Sequence, residues 1–146
     1  MKVLTPFAMA PGFAASLSAA ALGFFVASPA AAAGKYDGSA ALICAVLVVH
    51  ECAVDETCQP RTAENVGLPS LLRVDVNAMK VRNLDAGKKL ESTIKSADHV
   101  NNKLVLYGGE AGRGWSVSIQ ENTGKMSAAV AADDTGFVIF GQCALP

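Results

Sequence analysis

The second half of the chain is built from short stretches in which every second residue is apolar. Residues 115–120 show this pattern most clearly, because apolar side chains alternate there with two serines and a glutamine. A two-residue period is typical of a β-strand with one buried face. Gly, Asn and Asp residues at 122–124 and 133–136 separate such stretches, as turns do in antiparallel β-proteins. We therefore predict an all-β fold, an antiparallel meander of about seven to nine strands closed as a small barrel or a two-layer sandwich.

The sequence also predicts the local structure of several individual segments. The uninterrupted apolar run 40–49 predicts a strand buried on both faces. Residues 52–67 predict a long polar connection with one helical turn. Residues 91–96 predict a short polar strand, with a turn at 98–102. The glycines of 108–114 predict a flexible hairpin loop, because glycine permits the positive φ that turns require. A strand follows that loop where a phosphate-binding loop needs a helix, so no nucleotide site is predicted.

The amino-terminal residues have the three parts of a secretory signal peptide. Lys2 gives a positive start, residues 13–26 carry no charge, and small residues follow at 30–34. We predict that residues 1–33 are a cleavable signal and that residues 34–146 form a single exported β domain, periplasmic or secreted. The apolar stretch is shorter than the roughly 20 residues that span a bilayer, so we expect no stable transmembrane anchor in the mature chain.

All four cysteines fall in the predicted exported domain. An even number of cysteines in such a domain indicates disulfide bonds, and four cysteines allow three pairings. We favour a bridge between Cys52 and Cys58, which flank a turn-like stretch, and a bridge between Cys44 and Cys143, which ties the first strand to the last. The second bridge closes a loop of about 100 residues and contributes on the order of 4 kcal/mol in the chain-entropy model.

The charge balance of this domain is nearly even. Lys2 is the one charged residue of the leader, which leaves 11 basic against 13 acidic residues. A nucleic-acid partner would require a clustered basic face, so none is predicted. The expected partner is an envelope protein or a small ligand.

Three residues are candidate contact points on the surface. Arg113 and Glu110 fall at the tip of the glycine-rich hairpin, where exposed charges can meet a partner or be simply solvated. Phe140 lies on the opposite strand phase to Phe137, so it is exposed if that face is not covered. Trp115 and Phe137 lie in the apolar phase of their strands, and core packing is their expected role.

The sequence contains no catalytic constellation. No serine lies in a Gly-x-Ser-x-Gly turn, and there is no Cys-x-x-Cys motif. His50, Glu51, Cys52 and Cys58 are residue types that can bind zinc. However, export favours oxidation of the cysteines, and their spacing differs from that of zinc knuckles. His99 lies in a predicted polar turn without an activating neighbour. We predict no catalytic residues, no metal and no cofactor.

Several short motifs are similar to those of small exported proteins of Gram-negative bacteria. They are an apolar strand with a cysteine after a signal segment, Gly-Trp-Ser-Val-Ser-Ile at 114–119, Thr-Gly-Lys-Met at 123–126 and Phe-Gly-Gln-Cys at 140–143. The resemblance implies a fold and a location, not an activity. Periplasmic inhibitors of c-type lysozyme are also small exported β-barrels with a disulfide. Their inhibitory segment has Trp-x-Lys-Gly where this chain has Trp-Ser-Val, so no inhibitory residue is transferred.

Three functional hypotheses follow from this pattern. The leading one is a non-enzymatic exported binding or envelope-associated module. The second is an envelope-directed hydrolase, whose two carboxylates would have to lie within about 5–10 Å of each other. The third is a lipocalin-like carrier of a small apolar ligand, for which the alanine-rich stretch 126–132 leaves room inside a barrel.

Overall fold

The computed structural model describes residues 35–85, 87 and 89–146. The predicted signal at residues 1–33 lies outside the described residues. Nine β-strands and a single turn of 3-10 helix at Glu64–Val66 make up the described part. The strands are β1 Leu42–Ala53, β2 Gln59–Arg61, β3 Leu71–Asp75, β4 Lys80–Asn83, β5 Glu91–Val100, β6 Lys103–Glu110, β7 Arg113–Gln120, β8 Lys125–Ala131 and β9 Thr135–Ala144.

The strands form a closed antiparallel barrel of eight strands plus one additional strand, which confirms the predicted all-β class and selects the barrel. Neighbours in sequence pair from β3 to β9, and β9 then pairs with β1. The additional strand β2 pairs with the carboxyl-terminal part of β1, beyond the part that pairs with β3. Closure leaves no unpaired edge around the eight-stranded wall.

The interior of the barrel is apolar. Inward side chains alternate with outward ones along each strand, as the two-residue period predicts. The buried core consists of Leu42, Cys44, Val49, Val74, Ile94, Leu104, Leu106, Ile119, Met126, Ile139 and Cys143. Burial of this set of side chains is the main favourable term in folding.

One end of the barrel is closed by the segment that precedes β1. The Tyr36 backbone N–H donates a hydrogen bond to the Glu121 carbonyl oxygen at 2.9 Å. Gly38 follows with a positive φ of 83°, and a Cβ at this position would lie 2.8 Å from Val76 and 2.9 Å from Leu104. Only glycine allows the backbone to approach the core so closely.

The prediction that residues 40–49 are buried on both faces is wrong. Leu47 is 68% exposed and Val48 is 44% exposed. These residues lie at an irregularity in the β1–β9 register between Val46 and Val48. The strand is part of a barrel wall, so its inner face is buried while its outer face meets solvent.

Two predicted turns are shorter and more regular than expected. Strand β5 continues to Val100, and the turn consists of Asn101 and Asn102, both with positive φ. Strands β6 and β7 continue into the glycine-rich segment, where only Ala111 and Gly112 form the turn. The segment is therefore a two-residue hairpin of the type that matches strand twist, not a flexible loop.

The favoured disulfide pairing is confirmed. Cys44 pairs with Cys143, and Cys52 pairs with Cys58. Cys44 and Cys143 are also opposite each other in the β1–β9 register, so their bridge reinforces the closure of the barrel.

Removal of the two bridges should therefore have unequal effects. In the chain-entropy model, Cys44→Ala/Cys143→Ala lowers the free energy of unfolding by about 4 to 5 kcal/mol, and loss of two buried sulfurs adds to this. Cys52→Ala/Cys58→Ala, which opens a far shorter loop, costs about 2 kcal/mol. Urea unfolding of both variants measures the difference. Equal losses, or a larger loss for the short bridge, would contradict this account.

Candidate functional site

The end of the barrel opposite the closed one contains a half-open apolar cavity of about 240 Å³. Its apolar walls come from inward side chains of six strands and from the connections before β3 and before β5. They are Val46, Leu68, Pro69, Leu72, Val81, Leu90, Trp115, Val117, Met126, Ala128, Val130 and Ile139. Cavities of about 150 Å³ with similar walls hold a benzene molecule, so this volume is sufficient for a small organic ligand.

Polar groups are confined to a few positions of the cavity lining. They are Asn83, Glu91, Ser92, Glu110 and Arg113. Glu110 and Arg113 are opposite each other at the end of the β6–β7 hairpin, and both are exposed. An apolar chamber with a small number of polar groups is the usual composition of a small-molecule site.

Trp115 is held against the barrel wall by two contacts. Its Nε1–H donates a hydrogen bond to the Ser92 hydroxyl oxygen at 2.9 Å. Gly108 is directly opposite Trp115 in the β6–β7 register, and a Cβ there would lie 2.1 Å from Cζ2 of the indole. The ring therefore occupies the space that any other side chain at 108 would need. This placement keeps the largest side chain of the interior beside the wall and leaves the cavity open.

Glu91 is part of an exposed ion-pair group beside the cavity. Its two carboxylate oxygens lie 2.7 Å from Lys80 Nζ and 2.6 Å from Arg82 Nε. The hydrogen bond from Arg82, followed by that from Lys80, lowers the pKa of Glu91 to about 2. The same contact with Glu91 raises the pKa of Arg82. Glu91 is thus held in its ionised form and cannot serve as a proton donor near neutral pH.

A second, more polar groove of about 370 Å³ adjoins the cavity along Gly67, Leu68 and Pro69. Its carboxylate Asp85 accepts hydrogen bonds from the backbone N–H groups of Ser70, at 2.7 Å, and Leu71, at 3.1 Å. These bonds fix the start of β3. Of the two carboxylates that line the groove, Glu64 and Asp85, Asp85 therefore has a structural role.

The sequence-based candidates divide into two groups. Glu110 and Arg113 lie at the opening of the cavity, as contact residues would. Phe140 is 47% exposed and lies on the outer surface of β9, whereas its neighbour Ile139 lines the cavity. Phe140 is opposite Val48 in the β1–β9 register, and both belong to an exposed apolar cluster that also includes Leu47 and Val138. The structure does not bring Phe140 to the same site as the two charged residues.

Sequence reasoning missed a hydrogen-bonded pair, His99 and Glu121, at the closed end. His99 belongs to β5 rather than to a turn, and its Nδ1 lies 2.7 Å from Oε1 of Glu121. Glu121 is the one buried charged residue among the described positions. Asp37 also interacts with His99, and hydrogen bonds from Ser39 are the main reason why the pKa of Asp37 is lowered. A contact between residues 22 positions apart leaves no local signal in the sequence.

A zinc site formed by His50, Glu51, Cys52 and Cys58 is not compatible with the observed bonding. Cys52 and Cys58 are joined as a disulfide, and Glu51 is paired with Arg61 at 2.7 Å. Across the part of the chain that the structure describes, no three His, Cys, Asp or Glu side chains are grouped to hold a metal ion.

None of the helices within that part is long and apolar enough to cross a membrane.

Comparison with known proteins gave no match to a protein-family model, to a curated protein or to a solved structure.

The contact between Gly108 and Trp115 allows us to predict the effect of a substitution at position 108. Gly108→Ala should displace the indole, break its hydrogen bond to Ser92 and lower the free energy of unfolding by about 1 to 3 kcal/mol. The matched control is Gly114→Ala in the same hairpin, where an added Cβ meets no atom within 4 Å. Its expected effect is within about 0.5 kcal/mol. Urea unfolding and the emission maximum of Trp115 measure both effects, and equal behaviour of the two variants would contradict the proposed packing.

The ion pairs of Glu91 predict a specific pH dependence. Because the pKa falls from 4.5 to about 2 on folding, the stabilisation is complete above pH 4.5 and disappears as the pH falls towards 2. The stability difference between the wild-type protein and Glu91→Gln should shrink over this window. The effect should be small and weaken with salt, since the pairs are exposed. Carbon-13 NMR titration of the Glu91 carboxyl gives a second readout, and a midpoint near 4.5 would be inconsistent with the pairing.

Proposed function

We propose that this protein is a non-enzymatic binding module that holds a small apolar ligand in the open end of its β-barrel. The observation that carries the proposal is the cavity of about 240 Å³, with apolar walls and polar groups only at a few positions. Small barrels usually fill their interior with side chains, so unfilled space at one end favours a role in ligand binding.

We further propose that the protein acts after export, in the periplasm or outside the cell. Both disulfides support this location, because such bonds persist in oxidising compartments and are rare in the cytosol. The predicted signal at residues 1–33 supports the same location. A ligand bound there would be sequestered or carried within the envelope.

Two carboxylates at this end of the barrel, Glu91 and Asp85, favour binding over hydrolysis, because both are engaged in other contacts. A glycosidase-type mechanism needs one carboxyl group with a raised pKa to act as the acid. Arg82 and Lys80 shift the pKa of Glu91 in the opposite direction. Asp85 accepts two backbone hydrogen bonds and is fixed in a structural role.

The binding proposal can be tested with two alcohols of similar size, 2-phenylethanol and 2-cyclohexylethanol. Trp115 is the only tryptophan of the chain, so its fluorescence reports directly on the cavity. We expect saturable changes with at least one alcohol. If neither alcohol binds, as measured by fluorescence and by calorimetry, the proposal is wrong.

A matched pair of variants locates the binding site on β8. Ala128 lines the cavity, whereas the next residue, Ala129, is exposed on the outer face of the same strand. Ala128→Leu should weaken binding about tenfold or more, because the added carbons occupy the ligand's space. Ala129→Leu should bind like the wild-type protein. If a folded Ala128→Leu variant retains wild-type affinity, the ligand does not bind in the cavity.

A further inference from the structure

The indole of Trp115 spans two strands of the barrel wall. Trp115 belongs to β7, and its hydrogen-bond partner Ser92 belongs to β5, on the far side of β6. Adjacent strands are about 5 Å apart, so the side chain must extend sideways across β6 to make this bond. The long dimension of the ring therefore follows the wall rather than pointing towards the barrel axis.

Gly108 fixes which surface of the ring is covered. A Cβ at this β6 position would lie 2.1 Å from Cζ2 and 2.3 Å from Cε2 of the indole. The ring thus lies directly on the backbone of β6, which covers one of its two faces. Because Trp115 also lines the cavity, the other face is turned towards the ligand space.

This arrangement places a preorganised aromatic surface in an otherwise aliphatic chamber. The hydrogen bond to Ser92 and the contact with Gly108 restrict both rotatable bonds of the tryptophan, so little conformational entropy is lost when a ligand packs on it. Aromatic rings favour offset stacking on such a surface beyond the gain from burial alone. The thioether of Met126, another lining residue, also interacts favourably with aromatic rings.

Building on the proposed binding function, we infer that the ligand class is aromatic: a molecule whose planar ring stacks on the cavity face of Trp115. The volume of about 240 Å³ suits a single substituted ring. The polar substituent of such a molecule lies towards Ser92, Glu110 and Arg113, three of the five polar residues of the lining.

The two alcohols separate stacking from simple hydrophobic burial. They have the same carbon count and the same hydroxyl group, but only 2-phenylethanol has a planar ring. The cyclohexyl ring exposes more apolar surface to water, so burial alone favours 2-cyclohexylethanol. We expect the wild-type protein to bind 2-phenylethanol about three- to tenfold more tightly, as measured by isothermal titration calorimetry.

Two variants assign this preference to the indole. Trp115→Leu should bind both alcohols with equal affinity or favour the cyclohexyl compound. Ser92→Ala keeps the ring but removes its hydrogen bond, so the preference should fall below the wild-type value while binding persists. Circular dichroism checks that each variant retains the β-barrel, and the comparison in the wild-type protein needs no variant at all.

The possible outcomes are distinct. Equal or tighter binding of 2-cyclohexylethanol by the wild-type protein overturns the aromatic inference but leaves the cavity as a binding site. A preference for 2-phenylethanol that survives in Trp115→Leu also overturns it. Failure of both alcohols to bind contradicts the proposed function itself, and the aromatic inference with it.

Discussion

Closure of the barrel depends on the pairing of the first strand with the last. Strand β1 pairs with β9 along nearly its whole length, from Ile43 opposite Ala144 to Ala53 opposite Thr135. The contacting residues are between 82 and 101 positions apart in the chain, so this pairing carries the largest loop-closure cost in the fold. The buried bridge between Cys44 and Cys143 lies within this seam and reduces that cost in the oxidised protein. Without the seam, the sheet would have two open edges and no enclosed interior.

The two ends of the barrel interior are filled differently. At each end the packing depends on a glycine. At the closed end, Gly38 lets the backbone enter the barrel and contact Val76 and Leu104. At the open end, Gly108 lets the indole of Trp115 leave the axis and lie on the wall. A glycine therefore allows the backbone to fill the barrel at one end, and another glycine allows the cavity to stay open at the other end. The hydrogen bond to Ser92 then keeps the ring in that position.

Local patterns explain why much of the fold could be predicted from the sequence. The alternation in β7 and the turn at residues 122–124 reflect interactions within a few residues, so they are visible in the sequence. The burial of residues 40–49 was wrongly predicted because an apolar run does not reveal whether a second layer covers the strand. Leu47 and Val48 are exposed, since within residues 35–146 no second layer covers the outer face of the wall at these positions. The pair of His99 and Glu121 escaped prediction because its members meet only after β5, β6 and β7 are aligned.

The candidate site was predictable only in part for the same reason. Arg113 and Glu110 were identified because charges at a hairpin tip are recognisable locally, and the barrel then places them beside the cavity. Trp115 was expected to pack in the core, and it does pack against the barrel wall. Its position beside the cavity depends on which residue lies opposite on β6 and which hydroxyl lies on β5, and neither is encoded near position 115. A tryptophan opposite a bulkier residue would have turned inwards and filled the chamber. The cavity in which we propose that a ligand binds is therefore shaped by three neighbouring strands and not by any one motif.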